Sequence, residues 1–138
     1  MAAITVLIAD KHDLFRCSLR QLCEINGDFQ VVAEATSAAD LVALAAHLRP
    51  DVVLVDMHLA ELDGAETTRL LLAAQPDLVV ILLAFAWDDE MLERARRSGA
   101  RAWLAKDCAE GALFAAVQTR QVREQADAPR LRVQQAAP

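Results

Sequence analysis

Short β-rich runs alternate along this chain with stretches of helical apolar spacing, and that alternation limits the possible folds more than any other feature of the sequence. It is the pattern of a parallel sheet with crossover helices. The expected strands are Ile4-Ala9, Gln30-Ala35, Val52-Val55, Val79-Leu83 and Arg101-Leu104. Between them, Leu14, Phe15, Leu19 and Leu22 mark one apolar helix face, and Leu41, Leu44, Ala45 and Leu48 mark another. Asn26-Gly27, Pro50 and Gly99 stand where helices must stop, while Ser37 with Asp40 and Asp107 with Glu110 have the form of capped starts. A fourth helix opens on Asp88-Asp89-Glu90 and closes on Arg96-Arg97, matching the helix dipole at both ends. Because βαβ crossovers are right-handed, five such units wind into an α/β sandwich with helices on both faces. Ligands then bind outside the carboxyl ends of the strands, where strand order reverses.

Composition narrows the class. A chain of 138 residues that is 55% hydrophobic and 25% charged suits one soluble domain with a real core. The longest apolar run, Leu78 to Trp87, is far short of the ~18 residues a membrane-spanning helix needs, so no membrane association is expected. The N-terminus has no basic segment ahead of an apolar one and does not read as a secretion signal, which implies a cytoplasmic location. Cys17, Cys23 and Cys108 are expected to be packing residues. The net charge of −6 argues against nucleic-acid binding by this segment itself. After about Val122 the apolar periodicity ceases, so the expected organisation is a domain over 1–122 and a linker or tail over 123–138.

The strand ends carry the chemistry. Asp10 follows the first strand, Asp56 the third, Ala84 the fourth and Lys106 the fifth. Four stretches containing them, Val6-Leu7-Ile8-Ala9-Asp10-Lys11-His12, Pro50-Asp51-Val52-Val53-Leu54-Val55-Asp56, Leu62-Asp63-Gly64 and Ser98 to Asp107, resemble the response-regulator receiver family in both order and spacing. The Asp-x-His opening and the Lys-Asp pair after the last strand are most similar to the branch with a LuxR/NarL-type helix-turn-helix output domain. The resemblance covers roughly residues 4 to 120. It implies a flavodoxin-like, doubly wound five-stranded sheet of order 2-1-3-4-5. It further implies that Asp56 is the phosphoacceptor position served by a sensor histidine kinase, and that Lys106 pairs with the phosphoryl group. Mg²⁺ would be held by acids after the first strand, by Asp56 and by the backbone carbonyl of His58. A hydroxyl at the end of the fourth strand would bond the phosphoryl group, and Trp103 would be the aromatic that swings with it.

Three positions depart from that pattern. Lys11 stands where the family has a second acid, Ala84 where it has Ser or Thr, and Phe85 where it has a small residue. Asp10, Asp56, Lys11 and Lys106 sum to zero formal charge, a poor site for an ion that is held through carboxylates and sheds water reluctantly. The expectation is therefore a receiver whose Mg²⁺ affinity is weak or lost. It would signal through protein contacts, with the Lys11 ammonium paired to Asp56 or Asp10, unless the ammonium is carried into solvent on its flexible stem. The alternative is a working phosphoacceptor that uses Asp56 and Mg²⁺ to control a DNA-binding domain beyond residue 138. Output is expected through the face of the fourth helix, fifth strand and fifth helix, used for homodimer or partner contacts, with Phe85 and Trp103 filling the slot between pocket and face. His12 and His58 flank the pocket, but loop histidines are ordinarily solvated, and His47 lies apart on a helix, so no transition-metal site is expected. Arg94, Arg96 and Arg97 read as a solvated helix end. No second acid stands two residues beyond Asp56 to serve as a general acid, so an enzyme is not expected.

Overall fold

The computed structural model describes residues 3–108. Within them lie β1 (Ile4–Ala9), α1 (Asp13–Asn26), β2 (Phe29–Ala35), α2 (Ala38–Leu48), β3 (Val52–Asp56), α3 (Gly64–Ala74), β4 (Val79–Ala84), α4 (Asp89–Ser98), β5 (Ala102–Ala105) and a final 3₁₀ turn, Lys106–Cys108. The five strands form one parallel sheet in the order β2-β1-β3-β4-β5, as expected. The expected fifth helix and the tail over 123–138 lie outside the described residues.

Alternation along the strands divides the core between two faces. Leu7, Val53, Val55, Val80 and Leu82 are buried on the face packed by α2 and α3, while Val6, Ile8, Val52, Leu54, Ile81 and Leu83 are buried on the α1 face. A sheet covered on both sides needs apolar residues at every strand position, which is why these strands read as continuous runs. The α1 face is narrower than expected. Leu19 is sealed and Phe15 half-buried, but Leu14, in the first turn of α1, is 82% exposed.

The helix ends follow from local chemistry. The Ser37 side chain accepts from the Asp40 N–H, Asp63 from the Glu66 N–H and Asp88 from the Met91 N–H, each satisfying a donor that the first turn leaves free. Gly27 and Gly99 close α1 and α4 at φ of +83° and +94°, in the left-handed region that glycine enters without steric cost. α4 is further tied to the loop before α3, where the partly exposed Arg94 guanidinium pairs with Asp63. Arg96 and Arg97 are exposed and share Glu93.

Candidate functional site: a carboxylate pocket closed by a buried lysine

Asp10 and Asp56 meet because β1 and β3 are adjacent and end together, with Ala9 opposite Val55 in the register. This is the crevice that the strand order predisposes to bind ligands. Each carboxylate is fixed by the backbone two residues on: Asp10 Oδ1 accepts from the His12 N–H at 2.8 Å, and Asp56 Oδ1 from the His58 N–H at 3.1 Å. Both Oδ2 atoms are thereby aimed into the pocket. Gly64 supports the floor, its N–H donating to the Met57 carbonyl at 2.8 Å. A Cβ there would stand 2.8 Å from both the Asp56 carbonyl oxygen and Met57 Cα, so only glycine admits this close approach.

Lys106 enters from the end of β5 and is the cation of the pocket. Its side chain is 1% exposed, with Nζ 2.7 Å from Asp10 Oδ2 and 3.5 Å from Asp56 Oδ2. These are charge contacts made off the hydrogen-bonding direction, and both Oδ2 atoms remain without a hydrogen-bond donor. Above the ammonium lie two aromatic rings, Phe15 and Phe85, with centroids 4.5 and 4.8 Å from Nζ. Their quadrupoles attract the cation and their bulk excludes water. Phe85 and Phe15 in turn meet edge-to-face at 5.9 Å.

This geometry corrects two expectations. Lys11 is exposed and makes no ion pair among the described residues; the ammonium on Asp10 and Asp56 belongs to Lys106. The turn that returns the His12 N–H to Asp10 Oδ1 carries the intervening Lys11 outward, and hydration of an ammonium on a long stem does the rest. Phe85 does not fill an internal slot. It is 59% exposed and caps the pocket mouth, drawn there by Lys106, Phe15 and His12. Trp103 alone is turned inward, buried in the α2/α3 side of the core with its Nε1 unpartnered. Ala84 is fully buried at the end of β4 and presents a methyl group where the family pattern has a hydroxyl.

His12, expected to flank the pocket as a solvated loop histidine, turns its ring onto the pocket's charged groups. Its Nδ1 lies 3.0 Å from Asp10 Oδ1, 3.7 Å from Asp56 Oδ2 and 3.3 Å from Lys106 Nζ, and its side chain is about half exposed. The Asp-x-His spacing was the available signal, because an Asx-type turn returns residue i+2 over the aspartate. His58 donates its backbone N–H to Asp56 while its side chain stays outside, and His47 is exposed on α2. Cys23 is buried, and burial pushes its thiol up to about 11; Cys17 is exposed and is not a packing residue.

The donor set does not fit Mg²⁺. That ion takes near-octahedral oxygen ligands, whereas here the second acid is absent, the third group facing the carboxylates is an imidazole nitrogen, and a buried ammonium already stands against both Oδ2 atoms.

A doubly wound sheet of this order, with two aspartates at the β1/β3 switch point and a lysine reaching them from β5, is the architecture of a response-regulator receiver. The family model described as "Response regulator receiver domain" matches residues 6–118, and the chain belongs to that family. It is 39% identical over 104 residues to the response regulator GacA of Pseudomonas aeruginosa, covering 75% of this chain and 48% of that protein. It is 32% identical over 114 residues to the transcriptional regulatory protein DegU of Brevibacillus brevis, covering 83% of this chain and again 48% of the relative. Among solved structures it resembles a two-component response regulator of the LuxR family from Aurantimonas sp. SI85-9A1, at 26% identity and a TM-score of 0.78, with 86% of this chain and 88% of that one covered. The chain spans about half the length of the curated relatives it matches. Among the described residues, no helix is long and apolar enough to cross a membrane.

Proposed function

We propose that this receiver signals by protein–protein contact, largely independently of an aspartyl phosphate. The observation that carries this reading is the buried Lys106 ammonium, held against both Asp10 and Asp56 beneath Phe15 and Phe85. An incoming phosphoryl group would have to displace that ion pair and pass the aromatic cap. Ala84 then offers it no hydroxyl, so a phosphorylated Asp56 would gain little differential contact with which to bias a two-state surface. The contact surface in this reading runs over α4 and β5 and serves a second copy or a protein partner. An output domain for transcription control, of the kind the regulator relatives suggest, would lie beyond residue 138.

The test is to incubate the protein with a small phosphodonor and Mg²⁺ and weigh it intact. The expected result is an unmodified mass, and substantial phosphorylation at Asp56 would overturn the reading. One observation favours the alternative of a working phosphoacceptor fed by a histidine kinase: Asp56 Oδ2 is free of hydrogen-bond donors and Lys106 is already beside it. On that alternative, Lys11→Asp restores the missing acid and raises the phosphorylated fraction.

A further inference from the structure

We propose that the Arg94–Asp63 ion pair is a latch on α4 and that Trp87 is its pivot, so that the surface α4 carries is held or released without the carboxylate pocket. The two ties reach two different elements. Just ahead of α4, the Trp87 indole Nε1–H donates to the Leu104 carbonyl at 3.0 Å and joins the helix entry to β5. Midway along the helix, the Arg94 guanidinium pairs with Asp63 Oδ2 and joins α4 to the loop before α3. Asp63 serves both helices because its oxygens are divided: Oδ1 caps α3 by accepting from the Glu66 N–H at 2.7 Å, and Oδ2 is left for Arg94.

α4 depends on these ties because it buries little. Ala95 and Ser98 are its only buried residues, with Met91 and Leu92 partly buried against the core. The Ser98 hydroxyl donates to the Ala95 carbonyl of the same helix, so it does not anchor α4 to another element. A helix with few buried apolar contacts belongs to the low-stability end of a domain, where a single polar contact can decide the local equilibrium. The other ion pairs of α4 among the described residues, Glu93 with Arg96 and with Arg97, stay within the helix and cannot fix its position.

The two ties differ in kind. Trp87 is partly buried against the core and bonds the backbone of the edge strand β5, out of reach of dissolved ions. The side chains of Arg94 and Asp63 are 40% and 21% exposed, so salt screens their attraction and competing anions reach the guanidinium. Opening the pair leaves α4 attached at its entry alone, free to swing about Trp87. This deepens the contact-signalling reading by identifying what holds α4. It is tested without a phosphodonor, so its failure and the failure of that reading are told apart.

The experiment is amide hydrogen exchange of the 138-residue chain in about 0.01 M and about 1 M NaCl, between which the screening length falls from about 30 to 3 Å. Arg94→Met and Asp63→Ser, the serine keeping a capping oxygen for α3, should each speed exchange in α4 relative to β3 and β4. The expected gain in low salt is about two- to fivefold, the range of a partly exposed ion pair. Because both variants remove one interaction, the double variant should exchange no faster than either. The parent in high salt should match them, and Arg94→Met should be indifferent to salt. Through all of this the Trp87 indole N–H resonance should keep its parent position. Should Asp63→Ser melt α3, the parent and Arg94→Met in the two salts decide by the same criterion. Unchanged α4 exchange in Arg94→Met, additive effects in the double variant, a parent indifferent to salt, strands loosening together with α4, or a displaced Trp87 resonance would each overturn the proposal.

Discussion

Replacing Lys106 by methionine keeps most of the side-chain volume between Phe15 and Phe85 but removes the positive charge. The two aspartates it faces are 0% and 2% exposed, so solvent cannot take over its role. At 2.7 and 3.5 Å, the attractions from Asp10 and Asp56 amount to about 6 and 5 kcal/mol at an effective dielectric near 20. Most of that is offset in the native protein by the cost of drying three charges. What survives is seen when one partner is withdrawn, and deleting one member of a buried pair costs about 3–5 kcal/mol because the remaining charge is stranded. The expectation for Lys106→Met is therefore a loss of about 3–5 kcal/mol, a large part of the roughly 5–15 kcal/mol typical of a whole domain. Asp10→Asn should cost much less, since it leaves Asp56 and Lys106 as a balanced pair. Urea unfolding followed by circular dichroism and by Trp87 and Trp103 fluorescence reads both, with unchanged m-values as the check on two-state behaviour. A loss below about 1 kcal/mol for Lys106→Met, the level of an exposed pair, would refute the view that this ammonium holds the pocket together.

Further expectations concern the surroundings of the site. Gly64→Ala places a methyl 2.8 Å from the Asp56 carbonyl and Met57 Cα, and because backbone cannot yield as a flexible side chain does, the cost should reach or exceed about 1–3 kcal/mol in urea melts. Burial opposes ionisation of Glu34, but hydrogen bonds from Arg20 and Arg16 outweigh it and hold its carboxyl below its ordinary value of 4.5. Its stabilisation is thus full above that value and is lost as pH falls through the depressed one. Glu34→Gln should accordingly cost about 1–2 kcal/mol at neutral pH, and the gap from the parent should narrow in acid melts as pH falls through the depressed pKa. Alkylation of the native protein near pH 8 should label Cys17 and spare Cys23, whose thiol burial holds near 11; peptide mass mapping before and after denaturation checks this.

The sheet was legible because its determinants are local. Continuous apolar runs, the Gly27 and Gly99 stops, and the Ser37 and Asp88 caps act within a few residues, and the strand bounds expected from them differ from those observed by one residue or none. Asp10, Asp56, Ala84 and Lys106 were locatable for the same reason, since a residue at the end of a parallel strand has its place fixed by the strand. The loop after β1 was not legible in this way. Whether Lys11 or His12 faces the carboxylates depends on how the chain turns after Asp10, and the hydrogen bond that sets the turn, His12 N–H to Asp10 Oδ1, has no periodicity to betray it. Phe85 was misplaced on similar grounds: it stands just past β4, where alternation no longer fixes the side, and Lys106 and Phe15 draw it over the pocket mouth.

If the receiver signals by contact alone, its pocket is uncoupled from the α4/β5 surface, and amide hydrogen exchange over residues 84–120 with and without beryllofluoride and Mg²⁺ reads that coupling. With Ala84 lacking a hydroxyl and Lys106 committed to the aspartates, exchange should be superimposable in the two conditions. A clear change in protection across β5 or α4 on adding the phosphoryl mimic would contradict it and show that the switch is intact.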